Sequence, residues 1–202
     1  MTAALTSADA AVAADVARRL DRPVVLVGMM GVGKSSVGRR LAQALGVGFV
    51  DADDAIEEAA QMTIPDIFAQ FGEPHFRDGE RRVIARLLGS ELPDGAAPQV
   101  KVLATGGGAF VNPETRALIL ERGHAIWLDA DLDTLVERTA RKNNRPLLQQ
   151  GNPRETLARL RDERAAAYAQ APIHVLSGNG PHQRTLGNVL NALSAHLAEH
   201  GR

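Results

Sequence analysis

The sequence predicts an α/β fold, a parallel sheet covered by helices on both faces. Three observations carry the prediction. Five short aliphatic runs recur along the chain, segments of helical period separate them, and the first run leads through a glycine-rich turn straight into a helix. Parallel strands buried on both faces read as continuous apolar runs, and these runs have that form. With 202 residues and 45% hydrophobic content there is material for one ordinary core. Residues 22–202 are therefore expected to form a single domain behind an amino-terminal extension, 1–21.

The extension opens MTAALTSADAAVAADVARRL, which is alanine-rich, lacks a basic start and contains Asp9 and Asp15; it reads as a disordered or weakly helical segment, not a secretory signal. Strands are placed at 23–28 (PVVLVG), 47–51 (VGFVD), 99–105 (QVKVLAT), 124–129 (HAIWLD) and 172–176 (PIHVL). Val37, Leu41, Ala44 and Leu45 give the helix after the first strand its apolar stripe, and Gly46 ends it. Thr63 and Asp66 cap a helix before Ile67 and Phe68, while Asn112 and Pro113 open another that Gly123 closes. SELPDGAAPQ, 90–99, is a surface loop, and so is the aperiodic RKNNRPLLQQGNPRE, 141–155.

A net charge of −1 argues against a surface built to wrap nucleic acid, so any basic site must be local. The chain has no cysteine, which removes disulfides, thiolate metal sites and a thiol nucleophile, and suits the reducing cytoplasm. The longest apolar stretch, PVVLVGMMGVG, is broken by glycines and falls well short of the ~18–20 residues that cross a bilayer, so no membrane partner is expected.

Gly28-Met29-Met30-Gly31-Val32-Gly33-Lys34-Ser35 satisfies G-x-x-x-x-G-K-[ST] between a strand and a helix. Glycines let the backbone N–H groups of Gly31, Val32, Gly33 and their neighbours through Ser36 converge on phosphate oxygens, and the helix adds its positive end. Lys34 then reaches the outer phosphates and the Ser35 hydroxyl meets Mg2+, so the ligand is a nucleoside triphosphate. The sequence has neither a DxxG switch nor an NKxD-like base reader, which turns the reading from a GTPase toward a small-molecule kinase.

Such an enzyme needs an acceptor pocket beside the terminal phosphate and a cationic cover that excludes water. Asp51 and Asp53 can share one side at the end of the second strand, Asp51 toward a metal-bound water and Asp53 toward the acceptor hydroxyl; Asp53 or Asp54 can equally serve as a helix cap. Arg77 and Glu80, i and i+3 on a helix, make either a carboxylate clamp or an exposed ion pair. Gly106-Gly107-Gly108 after the third strand lets a ligand approach the backbone, although a merely flexible loop would read the same way. Arg138, Arg141, Lys142, Arg145 and Arg164 gather around the second loop, where Arg145 is placed in a lid over the γ-phosphate and Arg141 and Lys142 read as solvated surface.

With GMMGVGKSSVGRRLAQALG followed in order by FVDADDAIE, DIFAQFGEPHFRDGE, ATGGGAF and NRPLL, the chain resembles the shikimate kinases over residues 22–195. The resemblance implies a P-loop kinase fold of three α/β/α layers, a five-stranded parallel sheet of order 2-3-1-4-5 and a lid near 141–155. It implies ATP and Mg2+, and phosphorylation of the 3-hydroxyl of shikimate on the route to chorismate and the aromatic amino acids; a cytoplasmic monomer is expected. Lys34, Ser35 and the loop amides would meet ATP and the metal, with Asp51 at the metal's water shell. Asp53 would meet the substrate hydroxyls, Arg77 and Arg164 its carboxylate, and Gly106, Gly107 and Gly108 its ring. Arg138 and Arg145 would serve the nucleotide, and Lys34, Asp53 and Arg145 would act in catalysis. The Ser177-Gly178-Asn179-Gly180-Pro181 segment departs from the family's adenine pocket, so no adenine contact is assigned. Gluconate kinase and a catalytically silent ATP-binding module are the alternatives.

Overall fold

The computed structural model describes residues 6–89, 99–140, 152–178 and 182–200. Strands β1 (Val24–Val27), β2 (Gly48–Asp51), β3 (Lys101–Ala104), β4 (His124–Asp129) and β5 (Ile173–Leu176) form one parallel sheet in the order β2-β3-β1-β4-β5. The expected segments are all strands, mostly one or two residues shorter at their ends. β1 is central and wholly buried, with Val25 opposite Leu103 of β3 on one side and Ala125 of β4 on the other.

Helices α1 (Ser7–Arg19), α2 (Lys34–Leu45) and α8 (His182–His200) pack on one another, with α2 against β3 and α8 against β5. α5 (Pro113–Arg122) packs against β4 and α4 (Ile64–Leu87), while α6 (Leu132–Ala140) packs with α7 (Pro153–Tyr168). The caps follow the expected chemistry: Asn112 accepts from the amides of Glu114 and Thr115, Thr63 from Asp66, and Gly46 takes the left-handed conformation that ends α2.

The amino-terminal stretch differs from the expectation of a disordered or weakly helical segment. α1 is capped by Thr6, buries Ala13 and Val16 in the main core, and is tied to α8 by Arg19, which donates to the carbonyl oxygen and hydroxyl of Ser194. Ala13, Val16 and Leu20 recur at helical spacing, and that narrow stripe is stabilised once α8 and α2 cover it.

A smaller cluster, Ile56, Ile67, Phe76 and Val83, joins α3 (Ala52–Ala60) to α4. α4 bends at Gly72, whose φ of 79° only glycine adopts readily, and Pro74 follows. The second half of α4, carrying Arg77 and Glu80, follows this bend, and α4 packs against α5 and the turn at 109–111 after β3.

The order of the strands decides where a ligand can lie. From β1 the chain crosses to one side and from β3 to the other, so the loops after these neighbours diverge and leave a crevice at their carboxyl ends. The amide and hydroxyl of Thr105 both donate to the Leu26 carbonyl at 3.2 Å, which holds the two loop exits side by side.

Candidate active site

The loop after β1 has the conformation that its glycines permit. Gly28, Gly31 and Gly33 all have positive φ, and a Cβ on Gly28 would fall on the Leu128 carbonyl oxygen. Lys34, the first residue of α2, is buried and donates from Nζ to the carbonyls of Gly28 at 2.8 Å and Met29 at 3.0 Å. Ser35 Oγ donates to Asp51 Oδ2 at 2.6 Å. Ser36 lies in the first turn of α2.

Asp51 and Asp53 are close, but not through strand alternation. β2 ends at Asp51, which caps α3 and accepts from the Asp53 amide, so Asp53 stands in the first turn of a helix. The cap is Asp51, not Asp53 or Asp54, and the helical turn brings Asp53 toward the glycines after β3. Burial raises the Asp53 pKa to about 6, helped by the charges of Asp51, Glu80 and Asp54 and opposed by Lys34.

Arg77 Nη1 donates to Glu80 Oε2 at 2.8 Å, and its Nε and Nη2 donate to Glu73 Oε1 at 3.2 and 3.0 Å. The Glu80 side chain is only 3% exposed, so its link to Arg77 is no exposed surface pair. Burial pushes the Glu80 carboxyl up, and Arg77 and Arg164 pull it back. Its second oxygen, Oε1, is buried without a hydrogen-bond partner among the described residues.

The three glycines are where these groups meet. A Cβ on Gly106 would lie 2.7 Å from Glu80 Oε1 and 2.9 Å from Asp53 Oδ1, and one on Gly108 would lie 2.7 Å from Arg77 Nη1. Gly107 abuts the phosphate loop, a Cβ there lying 3.2 Å from the Met30 amide nitrogen. Arg164, buried on α7, donates to the Gly107 carbonyl at 3.0 Å. The loop after β1, two arginines and two carboxylates of raised pKa thus converge on one backbone segment that has no side chains.

Arg138 on α6 donates to the Val32 carbonyl at 3.1 Å, to Ser177 Oγ at 3.2 Å and to the Gly178 carbonyl at 2.8 Å. It bridges the loop after β1 and the segment after β5. Arg145, Arg141 and Lys142 lie outside the described residues, as does most of the predicted lid; of 141–155 the last residues belong to α7, which Asn152 caps.

Tyr168, Glu73 and Ser177 also join these contacts, and the sequence motifs assign none of them a role. Tyr168 follows Arg164 by one helical turn, a spacing that places both on one face of α7. Glu73 stands in the same i, i+4 relation to Arg77. No local signal marks Ser177, which is fully buried and donates to the Val32 carbonyl at 3.0 Å across the sheet.

Mg2+ commonly takes one or two protein oxygens and fills its shell with water and phosphate. The Ser35 hydroxyl and Asp51 carboxylate, already in contact, supply such a donor set, and among the described residues no three His, Asp or Glu side chains gather as a metal cage. No helix among them is long and apolar enough to cross a membrane.

The family model described as shikimate kinase matches residues 30–194. A shikimate kinase from Novosphingobium aromaticivorans is 64% identical over 182 residues, 90% of this chain and 92% of that protein. A shikimate kinase from Acinetobacter baumannii, solved in complex with shikimate, superposes with a TM-score of 0.79 at 35% identity over 91% of this chain and 97% of its own. A gluconokinase from Sinorhizobium meliloti reaches only 0.55 at 18% identity, over 90% of this chain and 96% of its own, a likeness of fold alone. Matched along most of its length at such identity, the chain belongs to the shikimate kinase family.

Proposed function

We propose that the chain transfers the γ-phosphoryl group of ATP to the 3-hydroxyl of shikimate, giving shikimate 3-phosphate and ADP. One observation carries this reading: Gly107 touches the phosphate loop on one side and Arg164 on the other, with Asp53 and the Arg77–Glu80 pair beside it. A small acceptor on the glycines can therefore meet a carboxylate clamp and a terminal phosphate together.

Lys34 and the loop amides from Gly31 to Ser36 hold the phosphates, and Arg138 steadies the nucleotide side. Ser35 and Asp51 would hold Mg2+, which supplies charge neutralisation on the phosphates when bound. Arg77 and Arg164 grip the shikimate carboxylate, and the Glu80 and Glu73 carboxylates keep the Arg77 fork oriented. Asp53 accepts a hydrogen bond from the acceptor hydroxyl. The hydroxyl oxygen bonds to the γ-phosphorus, the bond from that phosphorus to the β–γ bridging oxygen breaks, and the hydroxyl proton leaves toward Asp53. A loose transition state needs little base strength, so a carboxylate of pKa about 6 serves by placement first. Arg145 completes the site from the lid, and the enzyme works as a cytoplasmic monomer without nucleic-acid or membrane partners.

The test is a coupled assay for ADP release with ATP, Mg2+ and millimolar shikimate or gluconate. Shikimate-dependent ADP is expected. Gluconate-dependent release in its place would identify the related sugar-acid kinase, and no release with either would identify a silent ATP-binding module.

A further inference from the structure

We propose that Tyr168 is a positioning residue for the acceptor: its hydroxyl, with Arg164, pins the Gly107 carbonyl and so aims the triple-glycine backbone into the crevice. The proposal rests on the reading of that crevice as the shikimate site. Tyr168 is 1% exposed at the carboxyl end of α7, and its hydroxyl donates to the Gly107 carbonyl that also accepts from Arg164 Nη1 at 3.0 Å. Burial pushes the phenol up to about 12, so it remains a donor at any working pH.

In a trans peptide the C=O and N–H of one unit point in opposite directions. Two donors behind the Gly107 carbonyl therefore fix the plane that also carries the Gly108 N–H, and turn that N–H away from α7. Three glycines in a row have the widest backbone freedom of any sequence, so an amide there is well oriented only if something outside the loop holds it. Local caps cannot do this: the bonds from the Ala109 amide to the Gly106 carbonyl and from the Val111 amide to the Gly108 carbonyl leave the Gly107 carbonyl to α7. The phenol ring is itself held in place, stacked at 25° on Trp127 with centroids 5.9 Å apart and with its hydroxyl 4.0 Å from Met29 Sδ of the phosphate loop.

The experiment compares wild type with Tyr168→Phe, which keeps the ring and its packing and removes only the donor. The KM for shikimate should rise on the order of three- to tenfold, as for one lost neutral hydrogen bond, with the KM for ATP within about twofold of wild type. The chain has a single tryptophan, Trp127, beside Tyr168, so its fluorescence titrated with shikimate gives the dissociation constant directly and should weaken by the same factor. Arg164→Ala and the double variant complete a cycle, and the two losses should be non-additive because both donors serve one acceptor. An unchanged shikimate KM in Tyr168→Phe overturns the proposal, as does an equal rise in both KM values, which would mean a general loosening of the core. A wild type active on shikimate alongside either result leaves the functional reading intact; a wild type that never turns shikimate over overturns both.

Discussion

Replacing Asp53 by Asn should make the protein more stable and nearly inactive, and the gain should vanish in acid. Asp53 ionises at about 6 instead of its ordinary 3.8, because burial and the neighbouring Asp51 and Glu80 charges outweigh Lys34. The unfolded chain gives up that proton near 3.8, whereas the folded chain holds it to about 6. Between these values folding takes up a proton, so stability falls as the pH rises and the penalty is complete above the upper value. At about 1.4 kcal/mol per unit, a shift of roughly two units sets a ceiling near 3 kcal/mol. The side chain still touches solvent, and screening lowers the expected gain to about 1–2 kcal/mol, or roughly 3–8 °C in Tm for a chain of this length. The assay is thermal unfolding without ligands at about pH 7.5 and about pH 4, with kcat measured at the higher value. The Asn variant should melt higher at the first pH and level with wild type at the second, while kcat drops on the order of a hundredfold. An equal increment at both pH values, or none at either, would refute the electrostatic account of Asp53.

Arg77→Ala should raise the KM for shikimate about 10- to 100-fold, as for a lost charged hydrogen bond, with the KM for ATP little changed; an unchanged shikimate KM would remove Arg77 from the carboxylate grip. Gly106→Ala puts a methyl 2.7 Å from Glu80 Oε1 and 2.9 Å from Asp53 Oδ1, so both carboxylates must shift, Glu80 against its bond to Arg77. Its kcat/KM for shikimate should fall tenfold or more, on the order expected for a misplaced group, and steady-state kinetics with each substrate varied in turn decide this. At the other end of the sheet, burial lowers the pKa of His124 against the pull of Asp21, 2.9 Å away, and burial with His124 nearby lowers His196. A lowered histidine contributes stability above its unfolded pKa of about 6.5, and that contribution is lost as the pH falls through the folded value. The Tm difference between wild type and His124→Gln should therefore shift against wild type from about pH 7.5 to about pH 5.5, and a constant difference would show that His124 does not titrate in this way.

The phosphate loop, the five strands and most caps were legible because each depends on a few neighbouring residues. Glycines at 28, 31 and 33 allow positive φ, short aliphatic runs make buried strands, and Asn112-Pro113 starts a helix wherever the chain goes next. The motifs at Arg77–Glu80 and Gly106–Gly108 were visible too, yet local pattern left each with a plain structural alternative. What decided them lay far along the chain: Glu80 is buried against residues after β3, and Gly107 is held from α7. The same holds where expectation and structure part. Asp53 stands on a helical turn because β2 ends one residue after its last apolar side chain, and α1 is built into the core because α8, at the opposite end of the sequence, covers its stripe. Local conformation is written in φ, ψ and periodicity, so the sequence by itself determined the elements, the phosphate loop and the residue types of the site. Which elements face one another depends on strand order and the packing of distant side chains, and only the tertiary structure decided that Asp53, Arg77, Glu80, Arg164 and Tyr168 meet at three glycines.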